Sequence, residues 1–518
     1  MGFETSGRRT AGALMVCGTT SNAGKSTIVA GLCRVLARRD VRVAPFKAQN
    51  MANNSAVTAD GGEIGRAQAW QALAAGVAPE VAMNPILLKP VADRASQVVV
   101  MGRPTETVSA AEFHRRKPAL LDVVLSALAD LRARFDVVIL EGAGSPAEIN
   151  LLDRDIVNLE IAHRAGIPAV VVGDIDLGGV FAALYGTVAL LPDRYRRLVG
   201  GFVINKFRGD PALLGDAVHM LEDRCAVPTL GVLPWLDGPT FDGEDSLTLD
   251  QGHAHAPIGD RETAAGDVLD VAVLRFPRIA NFTDFDPLLA EPAVRLRFVH
   301  DAAGLGRPDL LVLPGSKAPV ADLAWLRARG LDTAIIEAAT SGTTILGICA
   351  GAQMLGRRIA DPGHVESPEP LTDGLALLDV TTEFGADKFT ANRSGTAFGQ
   401  PLHGYQIHHG RLTVSGSEPF THLDASPTGA SGPEGASSGA VHGTTLHGLF
   451  EADGFRRAFL GAVAKRAGKA YVAGPTTFES LRQAAIDRIA DAIEAHIDLA
   501  AIDALIAQGA PTPHSVSA

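Results

Sequence analysis

"GTTSNAGKST", residues 18–27, decides how the first half of the chain is read. Two glycines, a lysine and hydroxyl side chains suggest a phosphate-binding loop, yet five residues separate Gly18 from Gly24. The GxxxxGK[ST] pattern has four. The flanks decide what the spacing leaves open. An apolar run, ALMVC, precedes the loop, and STIVAGLCRVLARR follows with apolar residues at helical spacing. Strand, loop and helix in that order let backbone N–H groups and a helix N-terminus surround phosphates, with Lys25 as a point charge and Ser26 in reach of Mg²⁺. The expected nucleotide contacts are Gly18, Thr19, Asn22, Ala23, Gly24, Lys25, Ser26 and Thr27.

Outward from the loop, residues 11–235 alternate short β-branched runs with longer helical patterns: VRVAPF, FDVVILEG, PAVVVGDI, GFVINKF and TLGVLP. Continuous apolar runs suit strands buried on both faces of a parallel sheet, with helices as crossovers. Ligands of such sheets lie at the carboxyl ends of the strands. Glu141, Asp174 and Asp176 stand there as acids able to face a metal, Lys47 as a cation facing an anion, and Asn205 with Lys206 as a weaker candidate for the base.

Residues 236–269, rich in Asp, Gly, Pro and His without a sustained period, read as a linker. A second alternating pattern, LDVAVLRF, PDLLVLPGS and TTILGICAGAQMLG, predicts a second α/β domain over residues 270–510. Within it, the low-complexity stretch 425–440 reads as a mobile surface loop, and the last apolar periodic segment as a helical tail packed on this domain. The fold class is therefore α/β, in two domains.

Composition excludes several functions. With 518 residues the chain exceeds a single core. A net charge of −12 argues against a nucleic-acid partner. Four cysteines without CxxC pairing suggest neither disulfides nor zinc; the N-terminal MGFETSGRRT lacks an apolar stretch of signal-peptide length, and no apolar run reaches membrane-span length. A cytoplasmic enzyme acting on small molecules is expected.

One of those cysteines is different. GICAG has the form GxCxG at a strand-to-helix junction, with Cys349 where a nucleophile elbow carries its serine. The helix N-terminus favours thiolate. Gly315 and Ala350 N–H groups are candidates for an oxyanion hole. For the base, His403, His408, His409 and His447 remain open.

GICAGAQMLG with LHGLFE downstream resembles the class I, triad-type glutamine amidotransferases. That resemblance implies that Cys349 forms a glutamyl thioester and that His447 is its base. The family carries Glu two residues after the His, where this chain has Leu449; Glu451 is four on. The first half is similar to dethiobiotin synthetase, whose phosphate loop has the same extra residue, and by that analogy Glu63 joins Ser26 and Glu141 as a metal ligand. In this order, and with KAQNMANNS, EGAGSPAEINL, NKFRGD, RFPRIANFTDFDPL and GYQIHHG, the chain resembles the cobyric acid synthase family.

The resemblance implies ATP- and Mg²⁺-dependent amidation of the b, d, e and g carboxylates of adenosylcobyrinic acid a,c-diamide, with glutamine as nitrogen donor. It leaves the oligomeric state open. Tyr405 and His408 are expected to border the glutaminase cleft, and the 425–440 stretch to bear no function. The rivals are a cobyrinic acid a,c-diamide synthase, disfavoured by KAQNMANNS and RFPRIANFTDF, and a P-loop switch ATPase or regulator with an inactive glutaminase domain. Switch ATPases carry an additional lysine early in the loop, which Thr19 to Asn22 lack.

Overall fold

The computed structural model describes residues 12–92, 94–238, 241 and 267–509; the expected linker falls mostly outside them. The six apolar runs of the first half become one parallel sheet, in the order Thr229–Pro234, Val199–Phe207, Ala169–Asp174, Gly12–Gly18, Val137–Glu141, Val43–Phe46. Its central strands are buried on both faces, which is why they carry no polar alternation. The carboxyl ends of Gly12–Gly18 and Val137–Glu141 lie side by side, so the phosphate loop and Glu141 meet without any distant rearrangement.

Beside this sheet stands a smaller one that the sequence reading did not anticipate. It orders Gln49–Met51, Ile86–Ala92, Ala95–Val100 and Arg103–Ser109. Its half-exposed strands lack the continuous apolar signature of the central sheet.

A second six-stranded sheet orders Val294–Val299, Leu269–Leu274, Leu310–Leu313, Thr344–Ile348, Val441–Thr444 and Ala436–Ser438. The first five strands are parallel and the edge strand antiparallel. A long hairpin, Val380–Ala397 with Gln400–Val414, leans from this domain onto the first, where Asn392 Nδ2 donates to the carbonyls of Val57 (3.2 Å) and Thr58 (3.0 Å).

Two expectations are corrected. The helical tail, Phe478–His496 and Leu499–Gln508, starts on the second domain as expected, with Phe478 and Ala485 in its core, and then crosses back to the first. Ile486, Ile489, Ile493 and Leu505 share a buried cluster with Leu14, Val29, Leu32 and Val203. An apolar stripe announces that a helix must be covered, not which domain covers it. The 425–440 stretch also folds: Gly432–Glu434 and Ala436–Ser438 are strands, and Glu434 is half-buried against the segment that leads to His447. It accepts from Thr444 Oγ1 (2.7 Å), Thr445 N (2.7 Å) and Thr445 Oγ1 (2.8 Å). A low-complexity composition hid one carboxylate with three donors waiting for it. Among the described residues, no helix is long and apolar enough to cross a membrane.

Candidate active sites

At the phosphate loop, Gly24 takes φ +97 before the helix Lys25–Arg38, so the backbone turns sharply into the helix N-terminus. Lys25 lies inward, its Nζ donating to the carbonyls of Thr20 (2.8 Å), Ser21 (3.1 Å) and Gly144 (3.2 Å). The loop is held from the end of Val199–Phe207, the next strand but one in the sheet. Asn205 Nδ2 donates to Ala23 O (2.9 Å), and Lys206 Nζ to Asn22 O (2.7 Å) and Asp174 Oδ2 (2.6 Å). Asn205, expected at the nucleotide, thus reaches the loop backbone.

Ser26 Oγ donates to Glu141 Oε1 at 2.9 Å, as does Lys47 Nζ at 2.9 Å, and Gln71 Nε2 donates to the other carboxylate oxygen at 2.5 Å. Burial opposes the charge, but Lys47, Gln71 and Ser26 outweigh it and hold Glu141 below the usual carboxylate range. A hydroxyl and a carboxylate in contact beside the loop are the hard oxygen donors that Mg²⁺ takes. Glu63 has different partners among the described residues: its two oxygens meet Lys89 Nζ and Lys388 Nζ, the latter reaching across from the glutaminase hairpin. The structure therefore joins Ser26 to Glu141 and places Glu63 in an interdomain ion cluster, two ammonium groups already neutralising it.

In the second domain Cys349 ends the strand Thr344–Ile348 at φ 52, ψ −106, a conformation few side chains adopt, and the helix Ala350–Leu355 starts immediately after. Gly351 makes the turn possible: a Cβ there would stand 1.9 Å from Leu313 O. The other cysteines behave as buried hydrophobes. Burial pushes Cys17 up to about 12 and Cys225 up to about 11, which keeps both as neutral thiols.

Of the four histidines, His447 meets Cys349. Its Nδ1 bonds Asp284 Oδ2 at 2.7 Å, and Asp284 Oδ1 accepts from Gly448 N at 2.8 Å. Burial works against an imidazolium, but Asp284 and the Cys349 sulfur outweigh it and push His447 up to about 10. Asp284 is therefore the carboxylate that partners this histidine. It comes from the 3₁₀ helix Phe282–Ala290, while Leu449 faces the core and Glu451 is bonded to Arg66 and Arg482. Its signal was present in RFPRIANFTDFDPL, but no spacing rule ties a residue 163 positions upstream to a histidine.

Gly315 lies against the His447 ring, since a Cβ built on it would stand 2.8 Å from Cε1. Tyr405 stacks on His447 with ring centroids 5.5 Å apart, and their backbones exchange two hydrogen bonds. His408 lines the cavity of about 40 Å³ that contains Cys349, Ala350, Gln353 and His447, together with Lys317 and Glu366 from the same domain and Lys89 from the other. Burial pushes His408 down to about 4, so it is a neutral wall of that cavity. His409 lines the same cavity, and His403 lines a separate one with Tyr405 and Glu451.

A phosphate loop with an acid beside it and a buried Cys–His–Asp cluster, each at the carboxyl ends of a largely parallel sheet, fit an ATP-using glutamine amidotransferase. Residues 14–241 match the CobQ/CobB/MinD/ParA nucleotide binding domain, and residues 270–455 the CobB/CobQ-like glutamine amidotransferase domain. The chain is 51% identical over 513 residues to a cobyric acid synthase of Nocardia farcinica, covering 97% of this chain and 98% of that one. It is 51% identical over 506 residues to that of Rhodococcus jostii (96% of each) and 52% over 502 residues to that of Saccharopolyspora erythraea (96% and 95%). The chain belongs to the cobyric acid synthase family, the ATP-dependent amidotransferases of cobalamin biosynthesis.

Proposed function

We propose that the protein amidates the b, d, e and g carboxylates of adenosylcobyrinic acid a,c-diamide to give adenosylcobyric acid in the cytoplasm, taking nitrogen from glutamine and energy from ATP. The observation that carries this is identity of about half over nearly the whole length of relatives bearing that activity's name.

A carboxylate resists attack by ammonia, so the first site transfers the γ-phosphoryl group of ATP to a substrate carboxylate oxygen. ADP leaves and an acyl phosphate forms. Lys25 and the loop N–H groups from Gly18 to Thr27 offset charge in that loose transition state. Mg²⁺, when bound by Ser26 and Glu141, supplies further charge neutralisation. Lys47 steadies Glu141 for that task.

At the second site Cys349 Sγ attacks the glutamine amide carbon. The oxyanion is met by the Ala350 N–H, and by that of Gly315 once it turns from the Ala280 carbonyl it faces in the ladder. His447, kept protonated by Asp284, gives its proton to the departing ammonia as the C–N bond breaks, and water then cleaves the thioester to release glutamate. Ammonia attacks the acyl phosphate, forming the amide and expelling phosphate.

The test is release of glutamate and ADP by the purified protein with glutamine and Mg·ATP, with and without adenosylcobyrinic acid a,c-diamide. Both products should rise with the corrinoid. ADP without glutamate sinks the amidotransferase reading; a response to cobyrinic acid in place of its a,c-diamide assigns the earlier amidation instead.

A further inference from the structure

Residues 278–284 form a bracket between the Gly315–Lys317 segment and His447. Ala280 pairs with Gly315 in a short antiparallel ladder, Ile279 with Ser316, and Lys317 N donates to Arg278 O at 3.0 Å. At its far end the bracket carries Asp284, whose carboxylate holds both His447 and Gly448 N. Asn281, in the left-handed region at φ 53, makes the corner between the two, and Asp284 N donates back to Asn281 O at 2.9 Å.

The anchor of this bracket belongs to the other domain. Ser55 N donates to Asn281 Oδ1 at 2.8 Å, and Phe282 N donates to Asn54 Oδ1 at 3.1 Å. The exchange is reciprocal and nearly dry, with Asn54 2% and Asn281 3% exposed. In such a place an N–H that loses its acceptor finds no water to replace it. The segment ending at Asn54 starts from Lys47, the residue that bonds Glu141 beside the phosphate loop.

We propose that Asn54 is a positioning residue for glutamine hydrolysis: from the ATP domain it fixes the bracket that aims Asp284 at His447 and seats Gly315 against the reacting cysteine and histidine. Glutaminase competence then depends on the two domains being docked, and a chain whose domains have parted does not release ammonia. The inference rests on Cys349 and His447 being the glutaminase pair.

The test uses the full chain and two variants, Asn54→Leu, which keeps bulk and removes the acceptor, and Asn54→Asp, which keeps the acceptor. Glutamine-dependent and ammonia-dependent amidation are measured on the same preparation, so that their ratio is independent of the folded fraction. For Asn54→Leu the ratio should fall about tenfold or more, through kcat, with the KM for glutamine changed less than about threefold, and Asn54→Asp should restore most of it. A ratio equal to wild type, a loss confined to KM, or no restoration by Asn54→Asp overturns the proposal. Failure of the underlying glutaminase reading looks different: Cys349→Ala would still consume glutamine.

Discussion

The two sites use the same kind of parallel sheet and gather their residues in opposite ways. The ATP site is almost contiguous: one loop and helix start supplies Lys25 and Ser26, and Glu141 arrives from the adjacent strand end. The glutaminase takes Cys349 from an elbow, His447 from a later loop and Asp284 from far upstream, and the segment holding Asp284 is itself clasped by the ATP domain. A contiguous site can be read from a motif. A dispersed one is defined by contacts that cross the chain, so its weakest-signalled member is also the one most dependent on tertiary structure.

The largest effect is expected from Asp284→Asn. It should lower glutaminase kcat by up to about 10⁴-fold, as loss of the orienting acid does in other triads. It also has a pH signature. Asp284 raises His447, so its loss lowers the pKa and moves the alkaline limb of the glutaminase profile from near pH 10 to lower pH. Because His447 is raised above its ordinary value of about 6.5, the folding stability it contributes is complete below that pH and is lost as pH rises through about 10. An unmoved limb with normal kcat would return the acid's role to another residue.

Lys25→Ala tests the other site. Amidation should fall about 10²- to 10³-fold with glutamine and with ammonia alike, because the acyl phosphate is needed for either nitrogen source. A loss seen with glutamine only would place Lys25 in the wrong half-reaction.

Glu451→Gln separates Asp284 from the carboxylate that follows His447 in sequence. Glu451 is held below the usual carboxylate range, against burial, by Arg66 and Arg482, and it touches neither catalytic side chain. Glutaminase kcat should change less than about tenfold, within the ~1.4 kcal/mol that separates a tenfold change; an effect matching Asp284→Asn would contradict the geometry. Smallest of all, Ile493→Val on the tail should cost about 0.5–1.5 kcal/mol. The loss should appear in the thermal transition that ATP shifts upward, because this helix covers the ATP domain.

Much of the fold was legible for the same reason the ATP site was. Strands buried on both faces must be apolar throughout, and all six runs noted in the first half became strands of one sheet. Cys349 was legible because a sharp turn demands small neighbours, which Gly347 and Gly351 advertise. The hairpin Val380–Val414, the destination of the tail and the Glu434 contact were not, because each depends on which surface is left for it to cover or on donors far along the chain. Asp284 belongs with them: its identity as an acid is visible, but its partner is set by the bracket's docking.

The most direct test of the two-site account is amidation of adenosylcobyrinic acid a,c-diamide by Cys349→Ala, assayed with Mg·ATP and either glutamine or an ammonium salt. The account predicts no product from glutamine and product from ammonium, since the first site is intact and lacks only its nitrogen. A variant that still uses glutamine, or one that fails with ammonium while its ATP domain remains folded, would contradict it.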